Sequence, residues 1–431
     1  MNRYNSYKDC GEKWLGEIPS HWKLIRSKYL WREKQNRSNS GKETLLSVSQ
    51  YDGVTPSKDE SRSESLEGYK VVNKNDLVIN IMLAWLGGLG VSKYEGIVSP
   101  AYCIYSQKGD NCSQYLHYLY RTPTYLAEFA RHSTGVVPSR WRMYTDDFGQ
   151  VPTLLPPLNE QQAIASYLDS ATSKIDAAIA REQKMIDLLN ERKQIIINHA
   201  VTKGLNPNLK MRESGVEWIS EIPVGWEILP LKSICKLGKG LQITKADLVE
   251  EGLPVVSYGQ IHAKYNTRTH LSKNLIRYVP TSYAKGNDSC KVNSNEFVVA
   301  DTSEDLEGCG NMVFNDSDQK IYAGYHTVII KSLKYDYPKY LAYLFTSQGW
   351  RKQIRSLVNG VKVYSITQSI LKRTDILRPS ADEQKAIIAY LDEKTKAIDA
   401  TIKERINMIA LLQERKQIII NDVVTGKVKV N

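Results

Sequence analysis

The chain lacks the long apolar segments and the paired cysteines that are typical of membrane and metal-binding proteins. Its longest apolar run, Ile81 to Val91, contains three glycines and has about half the length that a membrane-spanning helix needs. The six cysteines form no C-x-x-C pair, and no histidine stands at zinc-finger spacing from them. Residues 1–20 are polar and contain no apolar core of a signal peptide. We therefore expect a soluble cytoplasmic protein with free thiols, no bound metal and no membrane partner.

Sequence motifs of nucleotide-binding and methyl-transferring enzymes are also missing. There is no G-x-x-x-x-G-K-[ST] loop, no Asn/Asp-Pro-Pro-Tyr/Phe motif and no glycine-rich methyl-donor loop that opens a Rossmann unit. Glu182-Gln183-Lys184 resembles a nuclease E-x-K motif, but it lies in a predicted helix without a partnering carboxylate on a strand. We expect a non-catalytic protein that has no catalytic residues.

Basic residues are in excess. The chain has 58 Lys and Arg against 47 Asp and Glu, which gives a net charge of +11. This balance favours a polyanionic partner, although many basic proteins bind no nucleic acid. Residues 1–155 and residues 215–377 each contain 20 basic and 16 acidic residues, so the excess is shared evenly between the two parts.

The second half of the sequence repeats the first. Trp14-Leu-Gly-Glu-Ile-Pro-Ser-His-Trp22 returns as Trp218-Ile-Ser-Glu-Ile-Pro-Val-Gly-Trp226, and the octapeptide Glu191–Asn198 recurs unchanged as Glu414–Asn421. The offset between equivalent residues drifts early in each repeat and stays at 223 from Glu160 to Thr202. Surface loops tolerate insertions, whereas a helix whose apolar face must keep register does not. Each repeat is therefore predicted to be a variable globular head followed by a long helix of fixed length.

The predicted fold class is α+β, with two mixed α/β heads in a pseudo-twofold tandem repeat. The predicted parts are a first head (1–155), a long helix (156–204), a linker (205–214), a second head (215–377), a second long helix (378–425) and a tail (426–431). Strands are predicted at Thr44–Ser49, Asp76–Met82 and Tyr102–Ser106 in the first head, and at Pro254–Tyr258, Glu296–Asp301 and Thr327–Lys331 in the second. One helix is predicted to follow in each head, at Ser113–His132 and at Tyr337–Leu357.

The two long helices carry heptad-like apolar stripes. Residues 159–200 contain no Pro or Gly, and their apolar residues recur at alternating spacings of three and four. Because one helix cannot bury such a stripe alone, we expect an antiparallel coiled coil, with Glu182 and its opposite-charge equivalent Arg405 approaching each other. The predicted seam contains Leu168, Ile175, Glu182 and Leu189 of the first helix and Leu391, Ile398, Arg405 and Leu412 of the second. The alternative, in which each helix packs only on its own head, predicts two halves that are stable when separated.

Polar, basic and aromatic residues in the loops of both heads are candidates for DNA contact. Arg and Lys neutralise phosphates, Arg bridges O6 and N7 of guanine, and Gln matches the N6/N7 edge of adenine. The candidates are Gln50, Lys58, Asn80, Met82, Trp85, Arg131, Arg140 and Arg142 in the first head, and Gln260, His262, Lys264, Arg268, Lys352, Arg355 and Lys362 in the second. For each residue, the alternative is an ordinary solvated or structural role.

Taken as a set, these features resemble the specificity subunits of type I restriction–modification systems, over almost the whole chain. The motifs in the first repeat are Pro156-Pro-Leu-Asn-Glu-Gln161, Leu168-Asp169, Ile175-Asp176, Leu189-Asn-Glu-Arg192 and Ala200-Val-Thr202. Those in the second are Asp382-Glu-Gln384, Leu391-Asp392, Ile398-Asp399, Leu412-Gln-Glu-Arg415 and Val424-Thr-Gly426. Asn75–Tyr102 also looks like one class of target-recognition domain. The second head departs from this pattern because it lacks Ser-Pro-Ala-Tyr.

The resemblance implies that each head is a target-recognition domain for one half of a bipartite site in double-stranded DNA. The helix pair would set the spacer, and two methyltransferase (M) subunits would dock on the helices, with motor-nuclease (R) subunits completing the complex. S-adenosylmethionine, ATP and Mg would then belong to these partners, and this chain would hold no cofactor. Because the two heads differ in loop sequence, we expect an asymmetric target. The alternatives are a subunit of a methyltransferase-only or other-type restriction system, and a coiled-coil scaffold between protein-binding heads.

Overall fold

The computed structural model describes residues 2–57, 65–137, 141–331, 333–360 and 362–430. The chain forms two compact units: unit 1 contains Met1–Gln183 and Ile406–Asn431, and unit 2 contains Lys184–Arg405. This division passes through both long helices, whereas the sequence places boundaries at the helix ends. The domain limits given above therefore stay a prediction.

Unit 1 contains the first head, the start of one long helix and the end of the other. Its strands are β1 (Tyr7–Asp9), β2 (Glu17–Pro19), β3 (Lys23–Arg26), β4 (Trp31–Lys34), β5 (Leu46–Ser49), β6 (Gly53–Pro56), β7 (Lys70–Val72), β8 (Leu77–Asn80), β9 (Leu89–Val91), β10 (Gly96–Val98), β11 (Tyr102–Gln107) and β12 (Pro152–Leu155). Its helices are α1 (Ser27–Leu30), α2 (Ser113–Tyr120), α3 (Pro123–Arg131), α4 (Thr145–Gln150) and the beginning of α5 (Leu158–Lys203), with a 3-10 turn at Ala84–Leu86.

Unit 2 has the corresponding composition. Its strands are β13 (Met211–Val216), β14 (Ile219–Pro223), β15 (Glu227–Pro230), β16 (Lys236–Lys239), β17 (Leu253–Val256), β18 (Arg277–Val279), β19 (Lys291–Val292), β20 (Phe297–Ala300), β21 (Thr302–Ser303), β22 (Met312–Phe314), β23 (Ile321–Ala323), β24 (Thr327–Lys331), β25 (Tyr364–Ser365) and β26 (Asp375–Arg378). Its helices are α6 (Tyr258–Ile261), α7 (Pro338–Thr346), α8 (Gln348–Arg355), α9 (Gln368–Lys372) and the beginning of α10 (Ala381–Val424). Short 3-10 helices lie at Leu231–Ser233, Lys245–Asp247, Lys273–Leu275, Thr281–Ala284 and Asp288–Cys290.

The two heads share one sheet framework. A four-stranded antiparallel sheet of order β4-β11-β8-β9 in the first head corresponds to β16-β24-β20-β22 in the second. All four residues of β8 and of β20 are buried, which explains their continuous apolar sequences. Each of the six predicted strand regions overlaps an observed strand: β5, β8, β11, β17, β20 and β24. The second head adds a sheet of order β18-β17-β23-β19, in which β17 and β23 run parallel.

Two details differ from the sequence predictions. The single helices predicted at Ser113–His132 and Tyr337–Leu357 are wrong, because each region is two helices, α2–α3 and α7–α8. Thr122 and Ser347 interrupt them: each side chain accepts a hydrogen bond from a backbone N–H three residues ahead and so caps a new helix. Strand β13 begins at Met211, within the segment predicted to be a linker.

Within each unit, the start of one long helix packs against the end of the other, so the helices run antiparallel. In unit 1, Lys416 Nζ lies 2.7 Å from Asp176 Oδ1. In unit 2, the equivalent pair Lys193 Nζ and Asp399 Oδ1 is also 2.7 Å apart. The predicted packing of the helices is confirmed. The predicted approach of Glu182 to Arg405 joins residues of different units and stays a prediction.

Apolar residues of the helices have two environments. Leu168 and Leu391 are fully buried, while the predicted seam residues Ile175, Leu189, Ile398 and Leu412 are half-buried. A second set is exposed, at Met185, Leu188 and Ile195 of α5 and at Ile406, Met408, Leu411 and Ile418 of α10. No helix among the described residues is long and apolar enough to cross a membrane.

Candidate DNA interface

In the first head, two loops beyond the ends of strands are joined by one arginine. The turn between β5 and β6 contains Gln50, and the connection between β8 and β9 ends in the glycine run that starts at Gly87. Arg121, which follows α2, donates hydrogen bonds to carbonyl oxygens of both loops: Ser49 (3.4 Å), Gln50 (2.9 Å), Tyr51 (2.7 Å), Gly87 (3.0 Å) and Leu89 (2.6 Å). The Gly87 backbone has a φ of +88°, a conformation that suits glycine. The structure therefore brings Gln50 and the β8–β9 connection together.

The candidates on these loops differ in their exposure. Gln50 is exposed, and Met82 is 38% exposed. Asn80 is buried, and its Oδ1 accepts a hydrogen bond from Met82 N at 3.1 Å, so Asn80 shapes the turn. Trp85 donates its indole N–H to Met82 O and packs edge-on against Trp141, with 5.3 Å between the ring centroids.

Two further candidates of the first head, Arg131 and Arg142, make contacts within the protein. Arg131 forms a bidentate contact with Glu128, with N–O distances of 2.9 and 2.6 Å. Arg142 pairs through its backbone with Thr134 and donates its Nη1–H to Trp141 O. Lys58 and Arg140 lie outside the described residues.

In the second head, three candidates lie around a polar cleft of about 570 Å³. His262 and Arg268 line this cleft. Arg351, which is not among the DNA-contact candidates from the sequence, lines it as well. Asn190 and Gln194 of α5 also line it. Arg355 lies close by: it donates to Gln348 Oε1, another lining residue, at 2.9 Å and pairs with Glu307 Oε2 at 2.9 Å.

His262 uses both ring nitrogens within the head. Its Nδ1 accepts a hydrogen bond from the Asn311 side-chain N–H at 3.1 Å, and its Nε2 lies 3.0 Å from the Thr302 carbonyl oxygen, to which it donates. Burial lowers the pKa of His262, which agrees with a neutral ring that donates at one nitrogen and accepts at the other. His262 thus fixes the position of neighbouring loops.

Arg268 and Gln260 have different local roles. Arg268 has a backbone φ of +68°, and its backbone N–H donates a hydrogen bond to Asn266 Oδ1 at 2.9 Å. Burial, together with repulsion from Arg355, lowers the pKa of Arg268. Gln260 caps α6, because its Oε1 accepts a hydrogen bond from Ser257 N at 3.2 Å.

The comparisons with known proteins agree with this architecture. The family model "Type I restriction modification DNA specificity domain" matches residues 223–409. The MjaVIII specificity subunit of Methanocaldococcus jannaschii is 26% identical over 372 residues, which is 84% of this chain and 80% of that protein. The EcoKI specificity subunit of Escherichia coli is 24% identical over 213 residues, 48% of this chain and 44% of that protein. Residues 223–409 therefore carry a type I restriction modification DNA specificity domain, and the chain is similar to type I specificity subunits over most of its length.

A solved structure supports the fold of this chain. A chain from a study of complex assembly and conformational transition in the type I R-M system superposes with a TM-score of 0.66 and 14% identity. The superposition covers 95% of this chain and 99% of that one.

The candidates among the described residues fall into three groups. Gln50, Met82, Lys264, Lys352 and Lys362 are exposed. Asn80, Trp85, Arg131, Arg142, Gln260, His262 and Arg355 make hydrogen bonds within the subunit. Arg268 lines the cleft.

Three residues that stand out in the structure are absent from the sequence candidates. Tyr51 is 80% exposed at the turn beside Gln50, and the half-buried Arg121 and the buried Arg351 donate hydrogen bonds to loops of the two heads. Tyr51 could have been found from its position next to Gln50. The two arginines bond mainly to backbone carbonyl oxygens, which leave no pattern in the sequence.

Proposed function

We propose that this specificity subunit is the non-catalytic DNA reader of a type I restriction–modification complex, and that each head reads one half of an asymmetric bipartite site. The observation that carries the proposal is one sheet framework present twice with different loops. The β8–β9 connection of the first head is a tryptophan- and glycine-containing turn, whereas its counterpart between β20 and β22 is acidic and lies beside His262. Because base readout depends on loop side chains and shape, two different half-sites follow.

The exposed apolar residues of the long helices support docking of partner subunits. Leu188 and Leu411 are equivalent positions, and they are 49% and 60% exposed; Ile195 and Ile418 are 61% and 52% exposed. Exposed apolar patches on folded proteins often mark protein–protein contacts. One such set lies in each unit, which favours two methyltransferase (M) subunits per chain. Motor-nuclease (R) subunits complete the proposed restriction complex.

In this proposal, the chemistry belongs to the partners. S-adenosylmethionine serves the M subunits, which methylate adenine N6, and ATP and Mg serve the R subunits. The specificity subunit positions them on DNA and supplies no reacting group. A cytoplasmic location is proposed with it.

DNA binding by the chain with its M subunits tests the proposal. Affinity should fall steeply with salt, because neutralised phosphates release counterions. Replacing Lys264, Lys352 and Lys362 by Ala should reduce the slope of log K against log[salt] by up to about 0.9 for each phosphate that is no longer neutralised. The charge-matched control replaces Lys232, Lys245 and Lys285, which are also exposed.

An equal reduction in the control would show that only net charge matters, and would exclude a specific role for these lysines at the DNA. Salt-independent binding or no binding would overturn the proposed function and favour the alternative, a coiled-coil scaffold for protein partners.

A further inference from the structure

Each head contains an arginine whose hydrogen bonds go to a loop beyond the central sheet, and this arginine is half-buried in the first head and buried in the second. In the first head this is Arg121, which holds the β8–β9 connection. In the second head it is Arg351 of α8, which holds the equivalent β20–β22 connection. At the offset of 225 that relates the helices of the two heads, Arg121 corresponds to Thr346 and Arg351 to Leu126. Equivalent loops of the two heads are therefore held by arginines at sequence positions that are not equivalent.

Arg121 joins two loops that are far apart in sequence. Its Nη2–H groups reach Gln50 O and Tyr51 O, and its Nη1–H groups reach Gly87 O and Leu89 O. Burial lowers the pKa of Arg121. Removing a cation from water, even in part, is costly unless its donors are satisfied, so these hydrogen bonds favour one arrangement of the two loops around the half-buried guanidinium group.

Arg351 acts on a single loop and through it on His262. It is 3% exposed, and it donates to Glu307 O, to Cys309 O at 3.2 Å and to Asn311 Oδ1 at 2.8 Å. The amide of Asn311 in turn donates to His262 Nδ1. One guanidinium group therefore determines the loop path and the orientation of the imidazole at the cleft.

We propose that Arg121 and Arg351 are positioning residues for DNA readout, each fixing the shape of the recognition loops in its own head without touching DNA. This inference rests on the proposed function. A planar guanidinium offers five N–H donors in a fixed fork, whereas a lysine ammonium offers three donors on one atom. A lysine at either position would keep the charge and lose the fixed loop geometry.

The test measures sequence discrimination by the chain assembled with its M subunits, once methylated adenines have revealed the site. Initial methylation rates are compared on duplexes with the intact site and with one base pair changed in either half. Arg121→Lys should reduce discrimination at one half-site by about tenfold, the order of one good base contact, and leave the other half-site unchanged. Arg351→Lys should show the same loss at the other half-site only.

The controls separate positioning from general damage. Arg32→Lys and Arg373→Lys change exposed arginines of the two heads and should leave both half-sites unaffected. If a lysine variant does not fold, Gly87→Ala and Gly310→Ala disturb the same loops directly, since these glycines have φ values of +88° and +85°. Each should relax the same half-site as its arginine.

The outcomes are distinguishable. A wild-type complex that methylates no defined site would overturn the proposed function. A wild-type complex with two half-sites, whose discrimination survives Arg121→Lys and Arg351→Lys, would overturn only the positioning role. Equal loss at both half-sites, or loss at the same half-site from both variants, would also contradict it.

Discussion

Tyr115 of the first head donates its hydroxyl hydrogen to the carbonyl oxygen of Val424, 3.2 Å away at the end of the second long helix. Tyr340 of the second head makes the equivalent bond to Val201 O, near the end of the first long helix, at 2.9 Å. All four residues are buried. The core of each unit is therefore completed by a helix from the other repeat, which argues against heads that pack only on their own helices.

Cutting the chain between the repeats tests this exchange of helices. We expect the fragment 1–210 to be unable to fold as a monomer, because unit 1 loses Ile420, Val423 and Val424 from its core. Since Glu191–Asn198 is identical to Glu414–Asn421, the end of α5 from a second fragment can replace the end of α10, and we expect a homodimer. Light scattering and thermal unfolding give the answer. A cooperatively folded monomer would favour independent halves.

The ion pair between Lys193 and Asp399 tests the register of the helices in unit 2. Asp399→Lys should destabilise the protein by about 0.2–1 kcal/mol, the usual range for a solvent-exposed ion pair, and Lys193→Asp in the same chain should restore most of the lost stability. Denaturant unfolding measures both. The control exchanges the charges of two adjacent residues on α10 by Glu393→Lys and Lys394→Glu in one chain. This change should have little effect on the stability. No recovery in the double variant would contradict the register.

His117 makes the stability of unit 1 sensitive to acid. Its Nδ1 accepts a hydrogen bond from Val91 N, and burial, with the nearby charges of Arg121 and Lys93, lowers its pKa to about 3. The folded state holds the neutral ring, while the unfolded chain takes up a proton below a pKa of about 6.5. The stabilisation is complete above about pH 6.5 and is lost at roughly 1.4 kcal/mol per pH unit as the pH falls toward 3.

The variant His117→Asn keeps an acceptor for Val91 N and cannot titrate. We expect it to be less stable than wild type at pH 7.5, with the gap narrowing by roughly 1 kcal/mol at pH 5.5. Urea unfolding at the two pH values measures this difference. A gap of constant size would show that His117 does not carry the acid sensitivity.

The parts predicted correctly from sequence are those in which many residues share one constraint. The repeated motifs and the fixed offset predicted two heads and two packed helices, because a long apolar stripe has few ways to be buried. The helix breaks at Thr122 and Ser347 were not predicted, because each depends on a single side chain that caps the following helix. The sequence suggested Gln260 and His262 as DNA contacts from their residue type, and it could not reveal the hydrogen bonds that each makes within the head; their contact with DNA stays a prediction.

The two heads, which differ in their loops, should give the complex one asymmetric DNA target. Mapping methylated adenines in the host genome, with and without the gene for this chain, tests it most directly. We expect a single bipartite motif with two different half-sites and a constant spacer, which disappears when the gene is deleted. A methylation pattern that is unchanged by the deletion, or a motif whose two half-sites are identical, would contradict it.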